Sequence, residues 1–237
     1  MRILAIDSSG LVATVAVVEE ENEISKTIAE YTINYKKTHS QTLLPMIDEI
    51  FSMVQLKPDD VDVIAVSKGP GSFTGLRIGA ATGKGIALAL DKKMVAVPTL
   101  AAMAYNLYGD SRYICPVMDA RRKHLYSGIY TFDGDRLITV RDVNLESYDE
   151  LAEELAGLDG QVVLVGDGVD VAGDVLKEQL GDKCVLAPAH IKTQRAGSVA
   201  LLAKQMADNG EYTDADELKP DYLRPSQAER EKAQHES

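Results

Sequence analysis

One order of secondary structure runs through this chain twice. The reading gives strands at about 2–8, 11–19 and 24–34, a helix at about 39–55, a strand at 61–66, a helix at 74–90, a strand at 94–97 and a helix at 99–107. The order then starts again, with strands at about 112–119, 124–132 and 136–144, a helix at 147–156, a strand at 161–165, a helix at 169–180, a strand at 183–187 and a helix at 196–209. Asp7 ends the first strand of one half and Asp119 that of the other, 112 residues later. A repeat of this length is a statement about the whole fold.

Two copies of βββαβαβα describe the duplicated α/β architecture of the actin-like, Hsp70-like ATPases (the ASKHA fold), two lobes with a cleft between them. The expected lobes are 1–110 and 111–225, the last helix of the second being free to pack back on the first. Glu211 to Glu217 reads as an exposed acidic linker, and 226–237 as a polar, disordered tail. The chain has 237 residues, 45% of them hydrophobic, ample for a core. Its net charge of −12 argues against an extended basic surface for nucleic acid, and with no Trp and 5% aromatics a stacking platform for single strands is not expected. Two distant cysteines, Cys115 and Cys184, fit a reducing cytoplasm. Met1-Arg2 leads straight into an apolar strand, so no signal peptide is expected, and no apolar run approaches the ~20 residues of a membrane span.

In this architecture the turns of the first hairpins hold phosphate. Asp7-Ser8-Ser9-Gly10 is compatible with that task. Asp119-Ala120-Arg121-Arg122 lacks the glycine that lets backbone approach a phosphate, and carries two large cations instead. Gly166 and Gly168 end a further strand and could form a third turn of such a site, although a tight strand-to-helix turn is the simpler account. Asp7, Ser8, Ser9, Asp119, Arg121, Gly166 and Gly168 together read as a degenerate nucleotide cleft, with weak or absent ATP binding and no cofactor.

Gly69-Pro-Gly-Ser-Phe-Thr-Gly-Leu-Arg-Ile-Gly79 links a strand to a helix N-terminus. That order suits an anion site at the helix N-terminus or, equally, a turn whose glycines only allow close packing; it has neither the Walker A ending nor the dinucleotide spacing. Gly71, Gly75, Gly79 and Gly83 recur every four residues, on roughly one helix face. Each interior Gly costs about 0.5–1 kcal/mol against Ala, so such a row implies close contact with another backbone. Together with Met46, Ile50 and Met53 on the 39–55 helix, and Arg77 between the glycines, the row is expected to meet a partner's helices. Four histidines form no metal pair: Leu43 stands where a second ligand four residues after His39 would be, and His39 with Ser40 reads as a polar helix cap. No Ser/His/Asp constellation can be assembled. Asp59, Asp60 and Asp62 read as a solvated acidic turn.

Ile3-Leu-Ala-Ile-Asp-Ser-Ser9, Thr38-His-Ser-Gln41 with Leu44-Pro45, Gly69 to Gly79, Pro98-Thr-Leu-Ala-Ala-Met103, Asp119-Ala-Arg-Arg122 with Tyr126, and Pro220-Asp-Tyr-Leu-Arg-Pro225 resemble the TsaB (YeaZ) family over essentially the whole chain. The resemblance implies the actin-like fold and a part in making N6-threonylcarbamoyladenosine (t6A) at position 37 of tRNAs that read ANN codons. It implies a non-catalytic subunit that binds the catalytic subunit TsaD through N-terminal helices, helps recruit the ATPase TsaE, self-associates through the same surface when alone, and meets tRNA only through the complex. The family lacks the paired metal-binding histidines of TsaD, in keeping with the missing partner of His39. The runner-up is a small-molecule kinase of the same fold, which would need a competent second phosphate turn. A metallopeptidase would lack its ligands.

Overall fold

The computed structural model describes residues 1–35 and 38–223. The tail expected at 226–237 lies outside them. The first half is a five-stranded sheet in the order β3-β2-β1-β4-β5, formed by β1 (Arg2–Asp7), β2 (Ala13–Glu21), β3 (Ile24–Ile33), β4 (Val63–Gly69) and β5 (Lys93–Pro98). β1 pairs antiparallel with β2 and parallel with β4. It sits mid-sheet with both faces covered, which is why it reads as an unbroken apolar run. Leu4 and Ile6 enter one core cluster with α1 (His39–Val54) and α2 (Phe73–Leu90), while Ile3 and Ala5 enter another on the opposite face.

The second half repeats the pattern. β6 (Tyr113–Asp119), β7 (His124–Asp133), β8 (Arg136–Ser147), β9 (Val162–Val165) and β10 (Cys184–Leu186) pair in the order β10-β9-β6-β7-β8, with β6 antiparallel to β7 and parallel to β9. Each strand holds the place of its counterpart in the first half. Two copies of one mixed sheet, each with a helix after its third and fourth strands, are the duplicated actin-like fold. α4 (Tyr148–Ala156) and α5 (Val169–Leu180) cover the face containing Cys115 and Leu164, α5 burying Leu176 against it. Both cysteines are buried and free, and burial raises both thiols.

The halves exchange their last helices. α3 (Thr99–Ala104) follows the first sheet but buries Leu100, Met103 and Ala104 against Ile114, Met118 and Tyr130 of the second. α6 (Ala196–Asp208) follows the second sheet but buries Ala196, Val199, Ala200, Ala203 and Ala207 against Ile3, Ala16, Val63 and Val95 of the first. The small side chains let α6 lie close on the strands. Glu30 of β3 fixes its start: Oε1 accepts from the Gly197 amide at 2.9 Å, and Oε2 pairs with Arg195.

The acidic turn is solvated, as expected: Asp59, Asp60 and Asp62 are all exposed. Asp60 Oδ2 accepts from the Lys57 amide at 2.7 Å, and Asp62 Oδ2 from the Arg2 amide at 2.7 Å, so these carboxylates pin a turn. The segment after α6 is a strap, not a free linker. Thr213 bridges to Met94 at the edge of the first sheet, Leu218 is 1% exposed in its core, and the Asp221 amide donates to Lys68 O at 2.7 Å. The charged side chains face outward while Ala215 and Leu218 anchor it.

Candidate ligand cleft and docking face

The cleft is organised by the β1–β2 turn. Asp7 is 1% exposed and does not reach the cleft. Its Oδ1 accepts from the Ser9 amide at 2.8 Å and from Ser9 Oγ at 2.6 Å, and its Oδ2 from Ser67 Oγ at 2.7 Å. Burial pushes this carboxyl up, and the three donors pull it part of the way back. Ser8 is buried too, donating Oγ to Gly75 O at 2.9 Å. The Ser72 amide donates to Ser9 O at 2.6 Å, stitching the start of α2 to the turn.

The glycine row explains how α2 comes so near. A Cβ at Gly71 would lie 2.3 Å from Ser9 O, at Gly75 2.0 Å from Ser8 O, at Gly79 2.5 Å from Ser8 Oγ and at Gly83 2.4 Å from Val66 Cγ2. No methyl fits at any of the four. The row faces this chain's own turn and sheet, which corrects the expectation that it meets a partner. Met46 and Ile50, 5% and 0% exposed, are likewise core residues under α1. Met53 and Arg77 remain outside. Arg77 lies over the Phe73 ring at 4.1 Å and donates Nε to Tyr222 Oη at 3.2 Å, while Tyr222 packs on Phe73 with centroids 4.6 Å apart.

His39 is not a cap. Thr38 precedes the helix, without a side-chain cap bond. The His39 ring turns to the β1–β2 turn, where Nε2 donates to Gly10 O at 2.9 Å. Among the described residues no three His, Cys, Asp or Glu side chains come together to hold a metal.

Across the cleft, Asp119 Oδ1 accepts from the Arg121 amide at 2.7 Å, and Oδ2 pairs with Arg121 Nη1 at 3.1 Å. Gly166 and Gly168 do not line the cleft. The Gly166 amide donates to Lys192 O at 2.6 Å and the Gly168 amide to Val117 O at 3.0 Å. A Cβ at either would collide with Val117 O, at 2.1 and 2.9 Å. They are a close-packed wedge against β6. Asp167, between them, is the residue that reaches the cleft. Its Oδ1 accepts from the Asp119 amide at 3.4 Å, and burial, with the nearby Asp119 charge, pushes its carboxyl up to about 6.

The cleft itself holds about 1180 Å³ and is lined by Ser9, His39, Thr74, Asp119, Tyr126 and Asp167, with Tyr222 at its lip. Several backbone amides of the turns expected to cradle a phosphate are used within the protein. Ser9 donates to Asp7, Ser72 to Ser9, Ala120 to His124 O at 3.0 Å, and Arg121 to Asp119. A second, smaller groove of about 480 Å³ runs between α1 and α2, lined by Leu44, Ile47, Phe51, Leu56 and Ile86. Leu44, Met53 and Leu88, 58%, 66% and 64% exposed, stand on the outward sides of these two helices.

The family model for "TsaD: tRNA N6-adenosine threonylcarbamoyltransferase" matches residues 26–232. The tRNA threonylcarbamoyladenosine biosynthesis protein TsaB of Bacillus subtilis is 32% identical, the match covering 97% of this chain and 96% of that protein. The chain belongs to the TsaB family. The Escherichia coli protein of the same name is 31% identical over 94% of this chain and 95% of its own. The YeaZ structure from Pseudomonas aeruginosa superposes with a TM-score of 0.77 at 26% identity, covering 94% of this chain and 99% of that one. In this TsaB-family chain, sequence reasoning missed Asp167, Leu44, Leu88 and Tyr222. The signal for Asp167 was present: an acid between two glycines at the end of a buried strand. No helix among the described residues is long and apolar enough to cross a membrane.

Two outcomes follow from this packing. Gly79→Ala should destabilise the fold by about 1–3 kcal/mol through overpacking, whereas Gly85→Ala, where a Cβ meets nothing within 4 Å, should stabilise it by about 0.5–1 kcal/mol. Opposite shifts in thermal melts support the internal row; equal shifts contradict it. Asp167→Asn tests the raised carboxyl. A folded value of about 6 above the ordinary 3.8 means that this group's contribution is fully present below about pH 4 and is lost as pH rises through 6. The Asn variant should therefore melt higher at neutral pH, by no more than about 3 kcal/mol, and converge with the parent near pH 4. A difference that does not change with pH would contradict this reading.

Proposed function

We propose that the chain is a non-catalytic scaffold of the machinery that transfers a threonylcarbamoyl group to adenosine 37 of tRNAs reading ANN codons, working in the cytoplasm. It docks a TsaD-type transferase, helps recruit the ATPase TsaE, and pairs with itself through the same face when alone. The names of its relatives support the pathway, and the match to the transferase model supports a partner of the same fold. The observation that carries the docking reading is the apolar outward face of α1 and α2. Leu44, Met53 and Leu88 are exposed there beside the 480 Å³ groove, on helices whose inner sides are already filled.

The two lobes, 1–110 and 111–225, close a cleft that holds no nucleotide firmly, because its turn amides are spent on Asp7, Ser9, His124 and Asp119. The same feature weighs against the kinase reading, which needs those donors for phosphate. A scaffold needs its cleft only as a joint.

Replacing Met53 and Leu88 together by Asp places charge on the docking face without touching the core. Association with a TsaD-family transferase, followed by sedimentation, should weaken by about tenfold or more while the melting temperature stays unchanged. Unaltered association would place the docking surface elsewhere.

A further inference from the structure

The β6–β7 turn carries a feature that the docking reading leaves unused. Arg121, Arg122 and Lys123 all have left-handed backbone, with φ of 67°, 55° and 58°. Non-glycine residues seldom take that conformation singly, and three in a row hold backbone strain. The surroundings hold them there: the Ala120 amide donates to His124 O at 3.0 Å, the His124 amide to Arg121 O at 3.2 Å, the Arg121 amide to Asp119, and His124 Nδ1 to Arg122 O at 2.8 Å. All three side chains are exposed. Arg121 is neutralised by Asp119. Arg122 and Lys123 have no ion-pair partner among the described residues. They form a rigid tip with two uncompensated cations beside the cleft, on a chain whose net charge is −12. A turn built for stability alone would relieve the strain with Gly or Asn.

We infer that Arg122 and Lys123 contact the phosphate backbone of the tRNA. This rests on the tRNA-modification role proposed above and extends it, since that reading gives the chain no nucleic-acid contact of its own. The net negative charge gives no long-range attraction, so the contact is local. It orients an RNA brought close by the complex, and it carries no base readout.

The test compares the parent chain with a variant carrying Arg122→Glu and Lys123→Glu. Dissociation constants for a tRNA that reads an ANN codon are measured by fluorescence anisotropy, for each chain alone and with a TsaD-family transferase, over a series of salt concentrations. The variant should bind at least about tenfold more weakly in whichever state the parent binds. Its plot of log K against log salt should be shallower by about two, one for each lost phosphate contact. Sedimentation with the transferase should be unchanged. Equal tRNA binding by parent and variant, or no tRNA binding by the parent in either state, would overturn the inference. So would a variant that loses the transferase instead, which would make the tip a protein contact. If the parent fails to sediment with the transferase, the docking reading fails, while the comparison of the chains alone still decides the RNA contact.

Discussion

Everything near the cleft depends on one close approach, that of α2 to the β1–β2 turn. Gly71 just before α2, with Gly75 and Gly79 on it, lets the backbone come within hydrogen-bonding distance of Ser8 and Ser9, and Gly83 lets the helix lie on Val66 of β4. Each glycine costs helix stability, and the close contact offsets that cost through the Ser8–Gly75 and Ser72–Ser9 hydrogen bonds; beside them Asp7 is buried with its oxygens bonded to Ser9 and Ser67. A charged group at 1% exposure is tolerable only when bonded in this way. In the turn that would present its amides to a ligand in this architecture, the Ser9 amide instead points inward to Asp7.

The second joint is the exchange of α3 and α6. Each half-sheet is covered on one face by a helix that belongs in sequence to the other half. Separating the halves would expose both Leu100 and Met103 on one side and the alanine face of α6 on the other. That ties the halves together more firmly than a polar interdomain surface would. A body so braced is suited to presenting a fixed outer surface. Leu44, Met53 and Leu88 are exposed on α1 and α2, whereas Gly75, Gly79 and Gly83 of α2 face the chain's own turn and sheet.

Much of this was legible in the residues. Buried strands such as Ile3-Leu-Ala-Ile6 announce themselves as short apolar runs, and the second round of βββαβαβα fixed the architecture. Spacing showed that Gly71, Gly75, Gly79 and Gly83 share a face, but a face has no label for what it meets. Met46 and Met53 are one heptad apart, yet one is core and the other surface, because the apolar stripe of α1 is broad and the sheet covers only part of it. The stretch from Glu211 to Glu217 reads as a linker because its acidic side chains outnumber Ala215, and the second anchor, Leu218, lies just beyond it. Asp167 is obscured in the sequence by Gly166 and Gly168, whose backbone packing against Val117 accounts for the motif by itself.

The central claim is that the turns of this cleft have spent their donors on the protein itself. Isothermal titration of the purified chain with Mg-ATP addresses it most directly. The account predicts no saturable binding, or a dissociation constant weaker than about 1 mM. One-to-one binding in the micromolar range would contradict it.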